Sequence, residues 1–398
     1  MNRAEAPLPM PMPRALALAV VTFLMMLPET LPVPVLRSLI IERFGVGNAL
    51  ASLFLAANML GALLAAPWIG RYSDRTGQRR TPAIAALLLD ALLMQALAHP
   101  LDYASFLLLR VAEGAAHIGA LTLLMSLTAD VAGAHRGRVL GCLGASLTLG
   151  VATGAAIGGV VGHGNPLLTL HLASAVLLCA AGAATWLLPA DTPAAERPGY
   201  RLLFAALRAR PGLRAPLLLA FVDRFTVGFF TTGFPLLLAS ARGASGPQIG
   251  MLLAAFLYPF ALMSYPFGRL AERWPRRTLV FWGSLVYGIA VVAVGWAPVP
   301  LLWALMPVLG IASAVMFVPT LLWLLEQSPD VGRSTAMASF HAAGSLGFLL
   351  GPICCGALVE LGGEPLRGYQ LAFAVAGLME VAGAVLVVGW PRRNFCSR

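Results

Sequence analysis

The amino-acid sequence predicts an all-α membrane protein with twelve transmembrane helices in two six-helix bundles. Three observations predict this fold class: the apolar composition, the regular occurrence of long apolar segments, and a motif that occurs once in each half of the chain. The 398 residues are 59% hydrophobic and only 11% charged. A water-soluble domain cannot bury that much apolar surface, so lipid is expected to cover the outside of the molecule.

Twelve apolar segments are each long enough to cross a bilayer, which takes roughly 20 residues in a helix. In the first half they are residues 15–36, 48–69, 82–98, 103–129, 139–162 and 166–189. In the second half they are residues 215–240, 247–267, 278–297, 299–325, 334–360 and 367–390. This division predicts a first bundle over residues 1–190, a cytoplasmic linker over 191–214, and a second bundle with a short tail over 215–398.

A repeated motif follows the second apolar segment of each half. The first copy, Gly70–Arg80, reads GRYSDRTGQRR, and the second copy, Gly268–Arg277, reads GRLAERWPRR. In the first copy, Gly70 and Gly77 are expected to allow a tight reversal of the chain between two helices. Two similar halves around a central binding site are typical of secondary transporters.

The distribution of basic residues predicts the topology. All 27 are arginines, and with the N-terminus inside, 21 fall on the cytoplasmic side. Four fall outside, and Arg110 and Arg224 lie within helices. This asymmetry predicts a multi-pass protein of the cell inner membrane with both termini in the cytoplasm. It also argues against a nucleic-acid partner, although the net charge is +10.

The first copy of the motif resembles the G-x-x-x-D-R-x-G-R-R loop of the major facilitator superfamily, with Gln78 where a basic residue is usual. The resemblance extends over nearly the whole chain and implies the twelve-helix fold and transport activity of that family. It also implies a cytoplasmic latch that favours one conformation, formed by Gly70, Arg71, Asp74, Arg75 and Gly77. The alternative is a solvated loop that only sets the topology.

The fifth apolar segment carries a series of spaced glycines, namely Gly141, Gly150, Gly154, Gly158 and Gly159. Their spacing resembles the G-x8-G-x3-G-P-x2-G-G signature of the twelve-helix drug:proton antiporter branch, with Ala155 in place of the proline. This resemblance implies efflux in exchange for protons. The alternative is ordinary packing, because glycines four residues apart let another membrane helix approach closely.

The fourth apolar segment contains three ionisable residues on one helical face. Arg110, Glu113 and His117 are three and four residues apart, and a helix places such residues side by side. An unpaired charge at this depth costs several kcal/mol, so this face is expected to point toward a cavity or a partner. We expect a role in proton coupling or substrate binding. The alternative is a structural ion pair with a neighbour such as Asp90.

Further ionisable residues lie in other apolar segments. Glu29 lies in the first one, which prolines interrupt, and broken helices beside polar side chains are typical of transporter binding sites. Asp223 and Arg224 point about 100° apart on a helix, so one of them is expected to reach the cavity. Asp90 and Glu380 are expected to be structural, because the resemblance places their helices at the periphery.

These features predict a secondary active transporter, and not an enzyme, that exports a drug-like compound or metabolite in exchange for protons. Its expected partners are the small-molecule substrate, protons and the lipid bilayer, and we expect a monomer with no cofactor or metal. Two alternatives remain: a proton-coupled importer of a sugar or organic acid, and a dedicated exporter of a siderophore or metabolite. The sequence contains no H-E-x-x-H or G-x-S-x-G motif of an intramembrane enzyme.

Overall fold

The computed structural model describes residues 12–132, 136–189, 211–327 and 333–389. Twelve helices in these ranges are long and apolar enough to cross a membrane. This finding confirms the predicted class, an all-α protein with twelve candidate transmembrane helices. The predicted linker, residues 191–214, lies mainly outside the described ranges, so its boundaries stay a prediction.

Six of these helices form the first half of the chain. They are α1 (Met12–Thr30), α2 (Asn48–Thr76), α3 (Arg80–Leu97), α4 (Tyr103–Ala132), α5 (Arg136–Val161) and α6 (Leu167–Leu187). The six helices of the second half are α7 (Arg214–Ala241), α8 (Gly246–Arg273), α9 (Arg276–Trp296), α10 (Val299–Glu326), α11 (Arg333–Leu361) and α12 (Pro365–Gly389).

The first helix ends early, as its prolines predict. α1 stops at Thr30 and is followed by a 3-10 turn, Val33–Val35, and a π-helical segment, Arg37–Glu42. Proline supplies no backbone N–H, so Pro32 and Pro34 interrupt the α-helical hydrogen-bond ladder at this point. This break leaves Glu29 in the last turn of α1.

The reversal between α2 and α3 uses one glycine rather than two. α2 continues through Gly70 to Thr76, so the prediction that Gly70 contributes to the reversal is wrong. Gly77 ends the helix instead, with a φ of 68° and its N–H donating to the Ser73 carbonyl oxygen over 3.0 Å. A left-handed residue after the last turn is a common way to end a helix, and glycine adopts it without steric cost. Gly70 lies inside α2, where the backbone is helical, so this position does not need the left-handed conformation.

Each half is held together by packing between its own helices. In the first half, α4 packs against α2 and α3, and α1 packs against α5 and α6. In the second half, α7 packs against α11 and α12, and α9 packs against α10 and α12. Two further pairs, α5 with α8 and α2 with α11, connect the halves. The inner faces of both halves therefore meet along these four helices.

The halves meet closely at the end of the molecule that contains the α1–α2 connection, which we call the closed end. Arg37 donates to the Ala239 carbonyl oxygen over 2.7 Å. The Tyr369 hydroxyl donates to the Asn48 side chain over 2.8 Å. A Cβ on Gly159 of α5 would overlap the backbone of Gly246, at the start of α8. The closed end is thus sealed by hydrogen bonds and by backbone contact between helices.

Candidate functional site

The fourth helix presents Arg110, Glu113 and His117 to the interior of the first half, as their spacing predicts. All three residues are buried. The Arg110 guanidinium donates to Oε2 of Glu113 over 2.5 Å, and its Cζ lies 4.2 Å from the centroid of the Phe54 ring. The ion pair of Arg110 therefore forms within α4, and the contact between α4 and Asp90 is made by His117 instead.

Two more carboxylates reach this face from α1 and α3. Oδ2 of Asp90 lies 2.8 Å from Nδ1 of His117, and Oε2 of Glu29 lies 3.7 Å from Nε2 of the same ring. Asp90 is fully buried, whereas 14% of the Glu29 side chain is exposed. The structure thus brings Glu29 to the residues of α4. It also places Asp90 against His117, on the same interior face, although its helix was expected to be peripheral.

Asn58 of α2 is a site residue that the sequence analysis missed. Its buried Nδ2 donates to Oε2 of Glu113 over 2.9 Å. Two glycines bring α2 this close to α4: a Cβ on Gly114 would overlap the Asn58 backbone, and a Cβ on Gly61 would overlap the backbone of Val111. Small residues at a crossing let membrane helices approach closely. Gly61 and Gly114 were therefore the features of the sequence that could have indicated this contact.

We call the buried polar residues of the first half the N-half cluster: Glu29, Asn58, Asp90, Arg110, Glu113 and His117. Three carboxyl groups share this site with one guanidinium and one imidazole, so acidic groups outnumber basic groups by one. Oε1 of Glu113, Oε2 of Glu29 and Nε2 of His117 have no hydrogen-bond partner among the described residues. Buried, unbalanced charge is costly. The cluster is therefore suited to bind a cation.

The second half contains a partly exposed cation together with buried carboxyl groups. The Arg224 side chain is 28% exposed, and its Cζ lies 4.4 Å from the Phe317 ring centroid. Its neighbour Asp223 is 10% exposed, with Oδ2 lying 4.0 Å from Nε of Arg224. Arg224 is therefore the more accessible of the two. Glu380 is buried and accepts a hydrogen bond from Thr226 over 3.1 Å, which fits the structural role expected of it.

The residues of the predicted latch lie at the end of α2, away from the closed end. Cζ of Arg71 lies 5.8 Å from the Trp68 ring centroid, and Arg75 is exposed. The Asp74 side chain lies outside the part of the structure that is described. Arg79, which the prediction did not include, is buried and donates to the Ser73 hydroxyl over 3.2 Å. The latch role stays a prediction.

The glycines of α5 face two different partners. A Cβ on Gly150 or Gly154 would collide with the backbone of α1, one on Gly158 would collide with the backbone of Leu31 just after α1, and one on Gly159 would collide with α8. The surroundings of Gly141 lie outside the described residues. The first three glycines pack α5 within its own half, and Gly159 packs it against the other half. The antiporter interpretation of this series stays a prediction.

A family model described as Major Facilitator Superfamily matches residues 18–222 and 216–394. The chain belongs to this family. Solved structures share the fold over almost the whole chain: a point mutant of the nucleoside transporter NupG has a TM-score of 0.79 and 14% identity, covering 94% of this chain and 99% of that one. The human organic anion transporter MFSD10 has a TM-score of 0.72 and 20% identity over 94% and 99% of the two chains.

Curated relatives match part of the chain. The inner membrane transport protein RhmT of Escherichia coli is 26% identical over 188 residues, which are 46% of this chain and 42% of that protein. Another relative, from Agrobacterium vitis, has a name that refers to tartrate transport, with 29% identity over 46% of this chain and 40% of that one. The chain thus matches less than half of these relatives' length. The family and these relatives are transporters, which confirms the prediction that the chain is not an enzyme.

Proposed function

We propose that this protein is a secondary active transporter that couples the movement of a small organic molecule to protons. The observation that carries the proposal is the N-half cluster, in which three carboxyl groups within the membrane-spanning part outnumber the two basic groups. A proton taken up by Glu113 or Glu29 would relieve part of this imbalance. Because Glu29 is the more exposed of the two, it is the expected entry point, and Glu113 is the expected buried coupling residue.

Alternating access would then arise from opening and closing of the two ends. The closed end lies at the connection that the arginine distribution predicts to be periplasmic. In the proposed topology both termini lie in the cytoplasm of an inner-membrane protein. Reporter fusions after Arg75 and Arg208 test this orientation: cytoplasmic reporter activity at both positions is expected, and a periplasmic result at either would contradict it.

The direction of transport is proposed from the glycines of α5. Their resemblance to the antiporter signature favours export of a small organic molecule in exchange for protons. Export of a compound driven by the entry of protons can be tested in cells. Cells that express the protein should accumulate less of a transported compound than cells with an empty vector, and a protonophore should remove the difference. Energy-dependent uptake caused by expression would contradict export.

A second candidate function, proton-coupled transport of a small organic anion, is favoured by Arg224 and by relatives whose names refer to tartrate and sulfoacetate. A partly exposed guanidinium can bind a carboxylate through two parallel hydrogen bonds. Lysine keeps the charge but loses this planar geometry. If the substrate is a carboxylate, Arg224→Lys should therefore raise KM at least tenfold, and Arg224→Gln should raise it further. Unchanged KM for organic acids in both variants would exclude this candidate.

The proposed coupling is tested with the purified protein in liposomes. An imposed pH gradient should drive accumulation of the transported compound, since one pH unit is equivalent to about 1.4 kcal/mol per coupled proton. Small dicarboxylates and cationic drug-like compounds are the probes for the two candidates. Transport that proceeds only down the gradient of the compound, with no response to pH, would contradict proton coupling.

A further inference from the structure

We propose that Glu29, Glu113 and His117 form a binding site for a divalent transition-metal ion. One donor atom from each of these three side chains lies within 4.8 Å of the other two. The three donors come from α1 and α4, so the site joins two helices of the first half. Metal binding is a property beyond the proposed transport activity and can be measured without a substrate or a gradient.

The orientation of His117 is that of a metal ligand. Its Nδ1 lies 2.8 Å from a carboxylate oxygen of Asp90, which can only accept a hydrogen bond when ionised. In the neutral imidazole, this contact places the single proton on Nδ1 and leaves the lone pair of Nε2 free. Nε2 lies 3.7 Å from Oε2 of Glu29, and within the described ranges it has no hydrogen-bond partner. A carboxylate behind the imidazole orients the ring and raises its basicity as a ligand.

The carboxylate of Glu113 is oriented in a similar way. Arg110 and Asn58 both donate to Oε2, over 2.5 Å and 2.9 Å. Oε1 is buried and lacks a partner in the part of the chain that is described. The two donors fix the carboxylate group, so the remaining oxygen is held in place before any ion arrives. A fixed donor loses little conformational entropy when it binds an ion.

The charge of the N-half cluster matches a divalent cation. With its three carboxyl groups ionised and His117 neutral, which is the state in which these groups bind a metal, the cluster carries two negative charges beyond the one that Arg110 balances. One divalent ion would therefore neutralise the cluster. A single monovalent ion would leave one negative charge buried and unbalanced, which is unfavourable.

The donor types and spacing favour one class of ion. Zinc binds imidazole nitrogen and carboxylate oxygen at about 2.1 Å, so its donors lie roughly 3–4 Å apart. The cluster must contract by about an ångström to reach this spacing. The 3.7 Å between Oε2 of Glu29 and Nε2 of His117 already lies within this range. Mg²⁺ prefers all-oxygen octahedral sites, so a site with an imidazole should select Zn²⁺ over Mg²⁺.

Isothermal titration of the purified, detergent-solubilised protein with Zn²⁺ tests the proposal. Wild-type protein is expected to bind Zn²⁺ and to show no heat with Mg²⁺. Glu29→Gln and His117→Gln should each weaken Zn²⁺ binding at least tenfold. Asp90→Asn should also weaken Zn²⁺ binding at least tenfold. Removing the carboxylate that orients a metal-binding histidine typically costs 10- to 100-fold in metal affinity.

Two variants control for other sites and for general damage. His171→Ala removes an exposed histidine that contacts Gln95, and Glu380→Gln removes a buried carboxylate of the second half. Both should bind Zn²⁺ like the wild type. Glu29→Gln keeps the Asp90–His117 contact, so it is expected to fold, and equal thermal unfolding temperatures without metal will check this.

Three results would overturn the metal site. They are absence of Zn²⁺ binding by the wild type, undiminished binding by folded Glu29→Gln, and loss of binding in His171→Ala. None of these results bears on proton-driven transport, which is measured separately in liposomes without added metal. Conversely, if the wild-type protein binds Zn²⁺ but shows no proton-driven transport in liposomes, the proposed function is contradicted and the metal site is not.

Discussion

Gly159 offers a direct way to alter the contact between the two halves. A Cβ at this position would overlap the carbonyl oxygen of Gly246 and lie 3.1 Å from the Cα of Gly250, both in α8. These are backbone atoms of another helix, so they cannot rotate away from an added methyl group. Gly159→Ala should therefore push α5 away from α8 and destabilise the closed end.

The size of this effect follows from the overlap. Adding a methylene to a closely packed site costs typically 1–3 kcal/mol. Because the clash joins two halves, opening of the closed end relieves it, and the cost becomes a shift in the conformational equilibrium. A difference of 1–3 kcal/mol corresponds to about a 5- to 150-fold shift toward the open form.

Two other glycines of α5 are matched controls. A Cβ on Gly144 would meet no described atom within 4 Å, so Gly144→Ala should leave the equilibrium unchanged. Both alanines gain the same helix propensity, so that gain cancels in the comparison. Gly154→Ala would collide with the Leu27 carbonyl oxygen of α1, in the same half. It should therefore lower stability rather than open the closed end.

Spin-label distances report this equilibrium. Labels at Gly164 and Arg367, in a cysteine-free background, lie at the closed end in different halves. Gly159→Ala should add a population with a longer distance, and Gly144→Ala should match the wild type. A distance distribution for folded Gly159→Ala that is identical to the wild type would refute the reasoning.

Two further predictions concern the stability of α4. Gly114→Ala should lower the thermal unfolding temperature in detergent, because its Cβ would overlap the Asn58 backbone. The expected loss in the free energy of unfolding is about 1–3 kcal/mol. Gly182→Ala is the control and should leave the unfolding temperature unchanged, because its Cβ would meet no described atom within 4 Å. Hydrogen bonds from the Ser105 side chain and backbone N–H hold the pKa of Asp102 below its usual range. The stabilisation that ionised Asp102 gives to the start of α4 should be fully present above the ordinary pKa of an aspartate, about 4. This stabilisation should be lost as the pH falls through the lowered pKa of Asp102. Asp102→Ala should remove this pH dependence, as measured by amide-exchange protection of the first turn.

Local patterns in the sequence predicted the helices and part of the site. Long apolar segments identify membrane helices because the bilayer requires them, and the spacing of Arg110, Glu113 and His117 fixes their common face. These features depend only on neighbouring residues. The contact of Asp90 with His117 depends instead on how α3 packs against α4, which no local pattern encodes.

Two other differences have the same physical origin. Asn58 reaches Glu113 because glycines on both helices allow a close crossing, and the sequence does not show which helices cross. The role of Gly70 was assigned from its position in a motif. The helix continues through it, because a single glycine lowers helix propensity by only about 1 kcal/mol relative to alanine.

The most direct test of the central claim compares Glu113→Gln with wild-type protein in the same liposomes. Glutamine keeps an oxygen that can accept from Arg110 and Asn58, but it cannot release a proton. Glu380→Gln is the matched control, since it alters a buried carboxylate in the other half. We predict that Glu113→Gln binds substrate and exchanges it between equal compartments, yet loses accumulation driven by a pH gradient, while Glu380→Gln keeps both. Full gradient-driven accumulation by Glu113→Gln would contradict the account.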